Sequence, residues 1–277
     1  AMRSALLALG LAAACSAAGP LVAETIAITG GTIQTMGPAG VVENGTIVLV
    51  DGRIAAVGVG IAIPQAARRI DARGRVVTPG LFNSLTGLGV VEVSAVEASA
   101  DGVVKSERVT AAFDVADAIN PRSTLIAVNR IEGLTRAVVA PAAGNSLIAG
   151  RGAVIHLGVT ADLVVRARVA MFASLGERGA ELAGGARGAA MLRLREALQD
   201  AADFAAHRQA FDSGGRRDYS LSRLDLEALA PVASGELPLV VTVNRASDIV
   251  AVLRLAGELG LRLILAGVAE GWEVARE

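Results

Sequence analysis

Cysteine is almost absent from this sequence. Cys15 is the only one in 277 residues, so the chain can form no disulfide within itself. A chain of this length, 53% hydrophobic, holds enough apolar material to build its core without one. Histidine is nearly as scarce: His156 and His207 are the whole supply, and Lys105 is the sole lysine. Zinc sites take imidazoles that converge on one ion, and two histidines far apart in sequence do not supply them. Aromatic residues make up 3% of the chain. That argues against stacking platforms for single-stranded nucleic acid and against aromatic-lined sugar grooves. The formal net charge is -1 and no basic block stands out, so nucleic acid is not expected as a partner. Past the N-terminus no run approaches the ~18 uninterrupted apolar residues of a membrane span.

The N-terminus has its own character. Residues 2–23 read as a secretion signal, with Arg3 as the positive start, a short apolar centre at 5–14, and Ala17, Ala18 and Ala23 as small residues for cleavage. Gly10, Gly19 and Pro20 interrupt the buried helix that is the alternative. Cys15 follows Leu11-Ala12-Ala13-Ala14, which loosely resembles a bacterial lipobox. Two outcomes stay open: Cys15 carries a lipid, the one route to a membrane, or it leaves with the signal. The expected location is periplasmic or secreted.

Residues 24–75 read as short strands joined by glycine turns. Ile26-Ala27-Ile28-Thr29 precedes Gly30-Gly31, and Thr46-Ile47-Val48-Leu49-Val50 closes on Asp51-Gly52, a tight-hairpin signal. Arg53-Ile54-Ala55-Ala56-Val57-Gly58 is the return strand, and residues 71–75 are another turn. From Val76 onward, strand-length apolar runs alternate with helical stretches. Strands are expected at 135–140, 239–243 and 261–265, a hairpin over 146–157 turning at Gly150-Arg151-Gly152, and a long helix over 189–211. Ser247 is the expected cap of a helix that runs to Glu258 and ends at Gly260. The small-residue stretch 180–188 reads as a mobile loop. This alternation argues for parallel βαβ units.

Several of these segments resemble one family. Gly30-Gly31-Thr32-Ile33, Glu43-Asn44-Gly45-Thr46, and Asp51-Gly52-Arg53-Ile54 with the strand that follows are similar to the opening of amidohydrolases. So are Ile70-Asp71-Ala72-Arg73-Gly74 and Val77-Thr78-Pro79-Gly80-Leu81. Asp117-Ala118-Ile119-Asn120-Pro121, residues 144–152, and Asn244-Arg245-Ala246-Ser247-Asp248-Ile249 continue the series. Together they resemble the imidazolonepropionase-like branch, many of whose members are secreted. The resemblance implies an α/β fold, a (β/α)8 TIM-type barrel over residues 76–277, with residues 24–75 as the N-terminal part of a small β-sandwich. It matches 261–265 to the sixth barrel strand. The roughly 200 residues from Val76 fall short of the roughly 250 of a barrel, so the barrel is expected to be incomplete and the chain truncated at its C-terminus.

The resemblance also implies where metal ligands belong. Family enzymes end their first strand in His-x-His, and alternate strand residues face one way, so both rings reach one ion. The matching positions are Leu85 and Gly87, and neither can bind a metal. The fifth-strand His-Ala-His-Arg corresponds to Thr242-Val243-Asn244-Arg245, and the sixth strand offers Ala266-Gly267-Val268-Ala269. No cofactor is expected, and zinc would need ligands from outside this chain. Lys105 fits no strand end. Glu92, Glu97 and Asp101 read either as oxygen ligands for magnesium or calcium or as a solvated loop. There is no Gly-x-Ser-x-Gly nucleophile elbow. The candidate pocket residues are Asn83, Thr86, Asn145, Thr242, Asn244 and Arg245, at or near expected strand ends, and they suit an amide- or carboxylate-bearing ligand. A plain turn and helix cap is the other reading of 244–248. Trp272 is expected in the core.

Three functions follow: a metal-dependent amidohydrolase with its ligands elsewhere, a ligand-binding pseudoenzyme, or a structural subunit in a homo- or hetero-oligomer with an active amidohydrolase paralogue. The N-terminal pattern predicts a mature chain that begins between Cys15 and Glu24. N-terminal sequencing of protein from the native host checks this, and an intact Met2 on a cytosolic product would refute it.

Overall fold

The computed structural model describes residues 24–93, 96–106 and 108–277. The expected signal segment and Cys15 lie outside the described residues. The chain divides into two compact units, one ending at Pro79 and the other running from Gly80 to Glu277.

The first unit is a five-stranded sheet. Its strands are β1 (Thr25–Gln34), β2 (Val41–Val50), β3 (Arg53–Gly58), β4 (Arg68–Asp71) and β5 (Val76–Val77). Antiparallel pairs join β1 to β2 and β2 to β3, while β4 and β5 lie parallel to β1. Asp51 (φ 50°) and Gly52 (φ 72°) form the two-residue hairpin turn read from the sequence, with both central residues in the left-handed region. β1 does not stop at Gly30-Gly31 but passes through them with shifts of register. Val76–Val77 belongs to this sheet, so the boundary falls after Pro79 rather than at residue 75. The 71–75 turn is held by Arg73, whose backbone N–H and guanidinium both donate to the Asp71 carboxylate. That hydrogen bonding lowers the Asp71 pKa to about 2.

The second unit opens with β6 (Leu81–Thr86), α1 (Thr124–Ile131) and β7 (Leu134–Val139). Then come β8 (Ile148–Arg151), β9 (Ala153–His156), β10 (Val164–Arg166) and β11 (Met171–Ser174). Four helices follow, α2 (Gly176–Leu182), α3 (Arg187–Ala206), α4 (Arg208–Asp212) and α5 (Arg223–Ala233). The unit closes with β12 (Leu239–Val243), α6 (Ala246–Leu259) and β13 (Leu263–Gly267). Two four-stranded sheets result, ordered β10-β9-β7-β6 and β13-β12-β11-β8. The crossovers behave as the alternation predicts: β6 and β7 are parallel, as are β11, β12 and β13.

The expected hairpin over 146–157 is not there. β8 and β9 do not pair with each other. β8 pairs antiparallel with β11, and β9 pairs antiparallel with β7, so one extended run links the two sheets. The glycines that imitate a turn serve close approach instead. A Cβ on Gly152 would stand 2.3 Å from Phe172 Cε2 and 2.9 Å from the Val139 carbonyl oxygen.

Other expectations shift locally. The loop expected over 180–188 is half helical, because Gly179 and Ala180 are buried in α2, and a Cβ on Gly179 would lie 2.9 Å from Ser174 O. The long helix breaks at His207, and Leu192, an apolar position of that helix, is 68% exposed. Ser247 does not cap α6. The helix starts at Ala246, whose N–H donates to Glu270 Oε2 at 2.8 Å, so a distant carboxylate takes the cap's place. Gly260 ends α6 in the left-handed region (φ 66°), as read. Trp272 is 77% exposed rather than in the core, because it sits in a single 3-10 turn after β13.

The main core forms where Leu194, Leu198, Ala201 and Phe204 of α3 and Leu226, Leu229 and Val232 of α5 meet Met171, Leu239 and Val241. Buried carboxylates tie loops to this core. Asp225 is 1% exposed and accepts from the N–H groups of Thr110 (3.0 Å) and Ala112 (2.8 Å) and from Ser222 Oγ (2.7 Å). Ser222 Oγ in turn accepts from the Asp225 N–H and caps α5. Asp114 accepts from Arg168 Nε at 2.7 Å. Removing Asp225 strands two backbone donors far from it in sequence. Asp225→Ala is expected to cost about 3 kcal/mol in urea unfolding, against about 1 kcal/mol for Ser222→Ala. Equal losses would contradict the anchoring role.

Candidate functional site

The C-terminal ends of β6, β7, β11 and β12 meet at one cavity of about 310 Å³. Its wall includes Leu85, Thr86, Gly87, Pro141, Phe172, Ser174 and Thr242. Parallel strands bring these ends together because each crossover returns the chain to the same side of the sheet.

β6 reaches the cavity through an irregularity. Its pairing with β7 runs from Asn83 opposite Ala137 to Thr86 opposite Val139, so the register shifts between them. Asn83 Oδ1 accepts from the Leu85 N–H at 3.0 Å, a local turn that disrupts the strand. Thr86 Oγ1 accepts from the Leu88 N–H at 3.2 Å, which fixes the hydroxyl at the cavity. Strict alternation, the basis for reading Leu85 and Gly87 as one face, is therefore broken just before them, yet both line the cavity.

The structure groups some of the expected pocket residues and separates others. Thr86 and Thr242 share this cavity with Leu85 and Gly87. Asn83 is exposed and engaged with its own strand. Asn145 lines a different cavity and donates through Nδ2 to Lys105 O at 2.6 Å. Asn244 lies over Gly267, where a Cβ would come within 2.5 Å of its Oδ1. Arg245 occupies the N-cap position of α6. Ser174 was not among the residues singled out, because the four-residue strand Met171–Ser174 carries too short a pattern to stand out in the sequence.

Around these strand ends lie charged side chains. Arg187, at the start of α3, pairs with Glu177 of α2 and, through Nε at 3.0 Å, with Asp248 in the first turn of α6. The Glu177 carboxyl is held below its ordinary range, first by its own backbone N–H and then by Arg187. Arg178 donates to the Gly144 carbonyl at 2.7 Å and so ties α2 to the loop before β8.

The donor set does not fit a divalent metal. The cavity's side-chain donors are the hydroxyls of Thr86, Ser174 and Thr242, with no imidazole, thiolate or carboxylate in its wall. Among the described residues no group of three or more His, Cys, Asp or Glu side chains could hold an ion. The two histidines are occupied elsewhere. His156 Nδ1 accepts from the Gly158 N–H, which leaves Nε2 as donor to Asp162 O at 3.2 Å. His207 lies against Asp203 and Arg216. Glu92 accepts from Asn120 Nδ2 and Ser123 Oγ, and Glu97 pairs with Lys105.

A Cα-level likeness appears with the amidohydrolase from Thermotoga maritima MSB8: TM-score 0.78 at 19% identity, over 91% of this chain and 66% of that one. A stretch of 64 residues is 45% identical to the 5-methylthioadenosine/S-adenosylhomocysteine deaminase of Symbiobacterium thermophilum, 22% of this chain and 15% of that protein. The chain thus spans less than two thirds of either relative. No family model matches the chain. The first likeness shows a shared fold, and the second a local similarity of sequence.

Arg187→Ala is expected to lower the thermal midpoint at neutral pH. Glu177 is stabilised in its charged form, so its contribution is present above the usual carboxylate range and is lost as pH falls through its depressed pKa. The gap between variant and wild type should narrow on acidification and in high salt. A gap independent of both would contradict an ionic role.

Proposed function

We propose that this chain is an exported amidohydrolase-superfamily protein that binds a small, neutral, amide-bearing ligand at the strand-end cavity without metal-dependent hydrolysis. The observation that carries this reading is the composition of the cavity wall: Leu85 and Gly87 stand where the family resemblance puts metal-binding histidines, beside hydroxyls of Thr86, Ser174 and Thr242. Hydrolysis in this superfamily draws its nucleophile from metal-bound water, whose pKa falls only beside the ion. Hydroxyls cannot supply that effect, but each both donates and accepts a hydrogen bond. An amide presents the matching pair, whereas a carboxylate would find no positive side chain in this wall. The Leu85 and Phe172 side chains add apolar contact suited to the carbon frame of such a ligand.

A second reading is a structural subunit for an active paralogue. It is supported by apolar side chains on strands paired on one side only: Leu81 and Phe82 on β6 are 58% and 55% exposed, and Ile264 on β13 is 50% exposed.

Metal analysis of intact protein, paired with assays on simple amides and cyclic imides, separates these readings from catalysis. The expected result is metal far below one equivalent and no hydrolysis sensitive to a chelator. Near-stoichiometric zinc with chelator-sensitive turnover would overturn the proposal. Leu85→His with Gly87→His is expected to create no activity, since the fifth- and sixth-strand positions still lack ligands. A Cβ at residue 87 would also meet Val91 Cγ2 at 3.2 Å.

A further inference from the structure

We infer that a second cavity, sharing no wall residue with the strand-end cavity, binds a small zwitterion of the apolar α-amino-acid type. This cavity, of about 330 Å³, opens between the middle of α3, the loop 145–148 that leads into β8, and the segment 220–221. Its volume lies near the lower bound of small-molecule pockets, which suits a compact ligand.

Opposite charges stand at its rim. Arg193 and Glu196 both line the cavity, three residues apart on α3. That spacing puts their Cβ atoms about 5–6 Å apart, the usual geometry of a helical ion pair. They do not pair. Arg193 Nη1 instead donates to the Leu182 carbonyl at 3.1 Å, which orients the guanidinium and leaves its other N–H groups for a ligand. Glu196 has no ion-pair or hydrogen-bond partner among the described residues. A cation and an anion held apart beside one cavity are complementary to a carboxylate and an ammonium carried on one small molecule.

The wall between them is polar where it needs to be. Asn145 spends its amide N–H on Lys105 O, which leaves Oδ1 as an acceptor. Ser146 Oγ accepts from the Ile148 N–H, which leaves its hydrogen to donate. Thr110 is a further polar residue of the wall. It is 3% exposed, and its buried Oγ1 has no hydrogen-bond partner among the described residues. Buried polar groups are rarely left unpaired, so a polar occupant that draws this hydroxyl into contact is favoured. Leu194 and Ala197 provide the apolar surface on which a hydrocarbon side chain would rest.

The test is titration of the full chain with L-leucine, L-methionine and L-alanine, followed by calorimetry or chemical-shift change. N-acetyl-L-leucine lacks the ammonium and L-leucinamide lacks the carboxylate, and both are compared with L-leucine. At least one of the three amino acids is expected to saturate, with leucine or methionine ahead of alanine. Each leucine derivative, and each of Arg193→Gln and Glu196→Gln, is expected to weaken leucine-type binding by about tenfold or more, as befits one lost charge-assisted contact. Both substituted residues are exposed, and melting curves establish that the variants fold. No saturable binding by any of the three amino acids would overturn the proposal. So would equal binding of leucine and its two derivatives, or an affinity unchanged in both variants.

Discussion

One extended run, residues 148–156, joins the two sheets of the second unit. It pairs with β11 through its first half and with β7 through its second, so it is the only hydrogen-bonded link between the two sheets among the described strands. The passage is tight. Gly152 has the Phe172 ring and the Val139 carbonyl oxygen where a side chain would be, and Gly150 (φ 123°) has the Phe113 backbone within 2.7 Å of the same point. Backbone approach this close admits only glycine. Once the run is seated, the ends of β6 and β7 share a cavity with the ends of β11 and β12.

The chemistry at those ends is divided by position. Inside the cavity the side-chain polar groups are neutral hydroxyls, while Glu177, Arg187 and Asp248 carry charge close by in salt-linked form. Neutral groups that both donate and accept tolerate a low-dielectric wall better than charges, because little desolvation is required of them. The charged set instead joins three elements, α2, α3 and α6, through one guanidinium. Arg178, next to Glu177, fastens the loop before β8 by a carbonyl. The electrostatics therefore hold the frame, and the hydroxyls line the strand-end cavity.

Buried carboxylates carry the same division into the loops. Asp225 reaches two backbone amides more than a hundred residues away, and Asp200, 1% exposed, accepts from Ser220 N–H and Oγ. Each fixes an irregular segment against the helical core by satisfying donors that no ladder or helix pairs. The cavity lined by Asn145 and Arg193 lies between segments held in this way, which gives it defined walls although loops form much of it.

The sequence by itself determined the local elements. The Asp51-Gly52 hairpin, the strands 53–58 and 239–243 and the glycine end of α6 follow from turn chemistry and periodicity, which act over a few residues. It also determined that Leu85 and Gly87, which the family resemblance matches to metal-ligand positions, carry no side-chain donor atom, because that is a matter of residue type alone. The tertiary structure decided which of these residues meet. Whether Gly150-Arg151-Gly152 reverses the chain or lets it run between two sheets depends on Phe172 and Val139, which no local pattern reveals. The cap of α6 comes from Glu270, 24 residues on, rather than from Ser247 beside it. Thr86 and Thr242 share a cavity while Asn83 turns back on its own strand, because strand register and a single side-chain hydrogen bond set where each hydroxyl or amide stands. Contacts of this kind arise only when distant segments pack, and so they are absent from any window of sequence.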